Sequence, residues 1–98
     1  MALRPEDPKA HFRIGNAHFQ LDNLNDACLS YEKALKVGRA PGDAKLLPQI
    51  NVNLGVALET DGFLMRACDQ YREAAILQPT HFRALKLLGS ALFGERHC

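Results

Sequence analysis

Ile14-Gly15-Asn16-Ala17, Leu54-Gly55-Val56-Ala57 and Leu88-Gly89-Ser90-Ala91 are one phrase written three times: apolar, glycine, variable, alanine. The first two copies continue alike. Leu24 and Ala27-Cys28 are answered by Leu64 and Ala67-Cys68, and Tyr31 and Ala34 by Tyr71 and Ala74, all at an offset of 40. The second and third glycines stand 34 residues apart. Self-similarity at a fixed period of roughly 20–50 residues marks a repeat architecture.

Glycine inside a helix costs about 1 kcal/mol relative to alanine, so three at matched sites need a reason. Neighbouring backbones that approach too closely for a side chain supply one. Ala27, Ala34, Ala67 and Ala74 extend that close packing to a second helix, and Tyr31 and Tyr71 supply the bulk between helices. The pattern predicts helices at about residues 8–21, 24–37, 48–60, 64–77 and 81–94, in antiparallel pairs stacked as a solenoid. Asp22-Asn23 and Asp61-Gly62 suit the turns within pairs. Pro79 ends the fourth helix through its effect on Gln78, which leaves Thr80 to cap the fifth.

These residues resemble the tetratricopeptide repeat pattern, Trp-x2-Leu-Gly-x2-Tyr, then Ala-x3-Phe, then Ala and Pro. The second copy reads Asn51-x2-Leu54-Gly55-x2-Leu58, Ala67-x3-Tyr71, Ala74 and Pro79; the first reads His11-x2-Ile14-Gly15-x2-His18, Ala27-x3-Tyr31 and Ala34. The third gives Leu85-x2-Leu88-Gly89-x2-Leu92. No copy has the Trp, and Arg39 stands where the first copy's Pro would fall. The resemblance covers nearly the whole chain. It implies an all-α, right-handed αα superhelix of about five helices in one domain, 1–98: repeat 1 at about 8–37, an insertion at 38–47, repeat 2 at about 48–79, and the first helix of repeat 3 at about 81–94.

Within the insertion, Gly38 and Pro41-Gly42 break the helix and Asp43 is a candidate cap for a new start. A helix starting there would carry Pro48 five residues in, where it removes a hydrogen bond and kinks the axis. The stretch Asp43–Leu47 is therefore left open between helical turn and loop. Ala2-Leu3-Arg4-Pro5 resembles the tail of a preceding repeat, since Pro5 precedes Gly15 by ten residues as Pro79 precedes Gly89. The last helix lacks its usual second helix. The expectation is a fragment of a longer array, with a self-capping last helix as the rival.

The totals agree with a small folded module. The chain has 98 residues, 47% hydrophobic and 23% charged, values that argue against disorder. A net charge of +1 does not suggest nucleic acid or an anionic membrane as partner. No segment approaches the roughly 18 apolar residues of a membrane span, and the N-terminus lacks the basic start and apolar stretch of a signal peptide. Three cysteines without Cys-x-x-Cys spacing read as reduced thiols. The expected compartment is the cytoplasm, with the nucleus as the alternative.

In this family the first helices of successive repeats line a concave groove. The glycine register places Lys9, Arg13, Asn16 and Gln20 there from the first helix, then Gln49, Asn53, Val56 and Thr60, then Arg83, Leu87, Ser90 and Gly94, with Phe12, Val52 and Lys86 beside them. The peptide-binding set expected from this register is Lys9, Phe12, Arg13, Asn16, Gln49, Asn53, Arg83 and Lys86. This lining is polar and mildly basic and suits an extended or helical, acidic peptide. One subfamily grips C-terminal carboxylates of chaperone tails with two Asn and three basic residues. Asn16 and Asn53 match both amides and Arg83 one cation, while Phe12 and Leu87 stand in the other two cation slots. The plainer alternative is that the amides bond any peptide backbone, or face water.

Catalysis finds little support. His11 and His18 share a helical face but fill the family's large core slots, and no Cys or carboxylate joins them at ligand spacing. His97 and Cys98 are terminal and suggest only adventitious metal. Cys28 and Cys68 hold identical repeat positions, as buried small hydrophobes would. Glu6-Asp7, Glu32 and Glu73 read as solvated charges. The resulting reading is a non-catalytic, cofactor-free protein-binding scaffold with no metal, nucleic acid or membrane partner. The alternatives are a regulatory or substrate-recruiting arm of a larger enzyme, such as a glycosyltransferase, and a homodimer formed through Leu85, Leu88, Leu92 and Phe93.

Overall fold

The computed structural model describes residues 7–38 and 41–93. Among them are five α-helices and no strand: α1 (Pro8–Gln20), α2 (Leu24–Val37), α3 (Leu46–Thr60), α4 (Leu64–Leu77) and α5 (Phe82–Phe93), with a 3-10 turn at Pro41–Asp43. Each helix packs against the next, and α1 also touches α3 across the stack. The extents of 53 × 30 × 16 Å are those of a layered slab rather than a ball.

The repeated phrase explains the layers. At Gly15 an added Cβ would stand 2.6 Å from the Tyr31 ring, and at Gly55 the ring of Tyr71 leaves no more room. Both rings are buried, as are Ala27, Ala34, Ala67 and Ala74. Each pair is thus a first helix whose glycine admits an aromatic ring from the second. Tyr31, Tyr71, Cys28 and Cys68 join Ile50, Leu54 and Leu58 in one core.

The turns within the pairs are the same device with different residues. Asn23 N–H donates to His18 C=O, and Phe63 N–H to Leu58 C=O, each at 2.8 Å. Asp22 N–H donates to Phe19 C=O, and Gly62 N–H to Glu59 C=O, each at 3.0 Å. This paired closure needs a left-handed residue just past the helix. Gly62 provides it at φ 93°, and Asp22, a non-glycine, at φ 65°.

Several expectations are corrected. Asp7 is not merely a solvated charge: its carboxylate accepts the Lys9 N–H at 3.0 Å and caps α1, with Pro8 in the first turn. Asp43 lies buried in the 3-10 turn, and α3 is entered through Lys45 instead. Because α3 begins at Leu46, Pro48 falls in its first turn, where the N–H has no intrahelical partner, so no hydrogen bond is lost. The fifth helix is capped by His81 rather than Thr80: His81 C=O accepts from Leu85 N–H at 3.1 Å, and its Nδ1 accepts from Ala84 N–H at 3.2 Å. Glu32 is paired with Arg66 of α4, with 3.5 Å between them. The expected repeat tail at residues 2–5, and Gly94, His97 and Cys98, lie outside the described residues. Among the described residues no helix is long and apolar enough to cross a membrane.

Candidate functional site

The first helices of all three copies converge on one crevice. Asn16, Phe19 and Gln20 of α1, Tyr31 of α2, Asn53 and Val56 of α3, and Arg83 of α5 line a cavity of about 290 Å³. Its back wall is a hydrogen-bonded knot. The Tyr31 hydroxyl donates to Asn16 Oδ1 at 2.5 Å, and Asn53 Nδ2 donates to the same oxygen at 2.9 Å. One carbonyl oxygen, with two lone pairs, therefore ties α1, α2 and α3 together. The N–H groups of Asn16 and the Oδ1 of Asn53 are not used by this knot.

A second crevice of about 490 Å³ adjoins the first, lined by Val56, Glu59 and Thr60 of α3, Gly62, Leu64 of α4 and Leu87 of α5. In the repeat register Val56, Glu59 and Thr60 stand for Asn16, Phe19 and Gln20, and Leu87 stands for Asn53. The fold thus builds one crevice twice. The first copy carries amides and a guanidinium; the second is apolar with a carboxylate at its edge. Val56 lines both.

The tyrosines at the two sites differ in the same way. Burial pushes the Tyr31 hydroxyl up, and the neighbouring Asn53 amide opposes the rise. Burial pushes the Tyr71 hydroxyl up much further, because it donates to Glu59 Oε1 at 2.8 Å and the Glu59 charge resists a second anion. Arg83 partly offsets that repulsion.

Of the eight residues singled out from sequence, Asn16, Asn53 and Arg83 meet in the first crevice. Gln20 and Val56, placed in the same stripes, join them. Lys9 and Arg13 are exposed nearer the start of α1, and Gln49 and Lys86 are exposed on α3 and α5. Phe12 is half-buried, its ring centroid 6.0 Å from that of Tyr31, so it forms part of the core wall. Val52 is fully buried between Ala74 and Ala84 and cannot serve as open floor. Sequence reasoning missed Phe19 and Glu59 and read Tyr31 only as bulk. Phe19 follows Asn16 by three residues on one helical face, a signal that was available. The Tyr31 contact, across 15 residues, was not.

Burial, then the Glu32 carboxylate, pushes the Cys28 thiol up, the opposite of what a nucleophile needs. His11 and His18 are half-buried on α1, and the described residues contain no group of three metal-ligating side chains.

Comparison with known proteins agrees with this architecture. The tetratricopeptide repeat family profile matches residues 8–38. Two TPR repeat-containing proteins of Arabidopsis thaliana, both described as uncharacterized, are 51% identical over 90 residues and 53% identical over 88. These alignments take in 90% and 88% of the chain, which spans only 11% of the length of each relative. Such repeats generally mediate contacts between proteins and generally carry no catalysis. The threefold glycine phrase, the ring seated on each paired glycine and the match over the first repeat make the chain a member of the tetratricopeptide repeat family.

Proposed function

We propose that the chain holds a peptide segment of a partner protein along the face shared by α1, α3 and α5 and performs no chemistry itself. The observation that carries this reading is the pair of adjoining crevices: Asn16, Asn53 and Arg83 in one, Val56, Leu64 and Leu87 in the next. The matching ligand is an acidic side chain followed by an apolar one. Lys9, Arg13, Gln49 and Lys86 extend the face, and Phe12 backs it. The two cation slots filled by Phe12 and Leu87 leave a terminal carboxylate with one guanidinium, so an internal acidic residue serves as well as a chain end. In a longer polypeptide the same face would recruit substrates or regulators to whatever domain accompanies it.

Fluorescence titration with an acidic, leucine-containing peptide, as the free acid and as the C-terminal amide, tests this. Both forms should bind alike. Arg83→Glu, at an exposed residue, should weaken both by about tenfold, the scale of one hydrogen bond to a charged group. Unchanged affinity in Arg83→Glu would remove the site assignment, and binding of the free acid alone would restore the terminal-carboxylate grip.

A further inference from the structure

Helix α3 carries one slot that breaks with its counterparts. Asn51 is 4% exposed, a buried amide where the matching residues of the other copies are the bulkier His11 and Leu85. Beside it lies a cavity of about 500 Å³ between α2, α3 and α4. Asn51 and Asn53 are two residues apart, about 200° around the helix, so this cavity lies on the other side of α3 from the crevice that holds Asn53. Two helical stripes form its walls. Leu47 and Asn51 are four apart on α3, and Gln70, Glu73 and Leu77 follow one another at three and four on α4, with Leu35 joining from α2.

The polar groups of this lining ask for a donor. Gln70 Oε1 is buried and has no hydrogen-bond partner. Buried polar atoms are nearly always paired, and an unpaired one costs stability. Among the described residues the lining holds one charge, the Glu73 carboxylate. The ion pairs of α4, Arg66 with Glu32 and Arg72 with Asp69, leave Glu73 out.

We infer that this cavity is a binding site separate from the groove, and that it takes an arginine side chain of a partner protein. The methylene stem lies along Leu35, Leu47 and Leu77, as long cationic side chains do on apolar surface. The guanidinium donates to Gln70 Oε1 and to the Glu73 carboxylate, and Asn51 Oδ1 offers a further acceptor. With five donors in one plane and no acceptor, one guanidinium can serve several oxygens at once. Lysine is a poorer occupant, because its compact ammonium is more strongly hydrated and costs more to bring into a cavity. An acidic group is repelled by Glu73. The chain therefore selects opposite charges on the two sides of α3, through Arg83 on one and Glu73 on the other. The two sites share no lining residue, so this inference does not depend on the acidic-peptide reading.

The test titrates blocked alanine pentapeptides with a central arginine, lysine or citrulline into the full chain, followed by amide NMR. Citrulline keeps the planar head and loses the charge. The expected result is saturable perturbation at Leu35, Leu47, Asn51, Gln70 and Glu73, unchanged when the acidic, leucine-containing peptide is already bound. The lysine and citrulline peptides should bind about tenfold more weakly, the scale of one hydrogen bond to a charged group. Gln70→Leu deletes an acceptor that has no partner in the free chain, so it should leave the fold intact and weaken the arginine peptide about tenfold. Glu73→Gln, at an exposed residue, should erase the preference for arginine over citrulline. No saturable perturbation at those amides, unchanged affinity in Gln70→Leu, equal binding of the citrulline peptide, or perturbations gathered at Asn16 and Asn53 would each overturn the inference. So would tighter binding of free arginine than of the blocked peptide, which would assign the cavity to a small guanidinium compound. A dimer of the chain lost in Glu73→Gln would overturn it too, by seating an arginine of a second copy there.

Discussion

Helices α3 and α5 carry the same repeat slots in two settings. Asn51 of α3 is 4% exposed, while Leu85, its apolar counterpart on α5, is 43% exposed. An amide is sealed and a leucine is not, because α3 has α2 on one side and α4 on the other, whereas α5 packs mainly on α4 and meets α3 through Ala84 and Leu87. Burial of a repeat position is therefore set by its neighbours rather than by its own hydrophobicity, as expected when stability is a sum of units and nearest-neighbour interfaces.

The sharpest way to break this comparison is to place the same methyl at the two glycines. Gly55→Ala forces a carbon into the Tyr71 ring and should cost about 3 kcal/mol, the upper range for overpacking. Gly89→Ala meets open space and should gain up to about 1 kcal/mol from helix propensity. Urea unfolding of the two variants should give opposite signs; equal losses would mean that Gly89 is packed as closely as Gly55.

The crevices give the next largest effect. Asn16→Ala leaves the buried Tyr31 hydroxyl without its acceptor and should cost about 1–2 kcal/mol. Most of that loss should vanish in a Tyr31→Phe background, where no hydroxyl remains to satisfy. A double-mutant cycle with no coupling would refute the three-helix knot.

The two turns sharpen the comparison further. Asp22 holds a left-handed conformation that Gly62 holds without strain, so Asp22→Gly should stabilise by about 1 kcal/mol and Gly62→Ala should destabilise by a similar amount. Thermal melts of both variants should move in opposite directions.

The smallest expected difference is in alkaline titration. Both tyrosines have folded-state values raised above the ordinary one. Their stabilising contribution is thus full below about pH 10 and is lost as pH rises through the folded values. Phenolate absorbance should show Tyr71, opposed by Glu59, ionising after Tyr31, which an amide assists.

Much of this was legible because the glycine phrase is local and periodic. The bounds of α2 and α4 follow from it to the residue, as does the meeting of Asn16, Asn53 and Arg83. The rest depended on partners distant in sequence. Nothing near Asn16 announces that Tyr31 and Asn53 share its oxygen, and nothing near Val52 announces that Ala74 and Ala84 close over it. Thr80 is by residue type a better cap than His81. It lost because the turn after Pro79 delays the helix by one residue.

The most direct test of a peptide-binding face is an amide NMR titration of the chain with the acidic, amidated peptide. Perturbations should gather at Asn16, Gln20, Asn53, Val56 and Arg83. A separate crevice of about 500 Å³ between α2, α3 and α4 is lined by Leu35, Asn51, Gln70 and Glu73; perturbations gathered there instead would contradict the account.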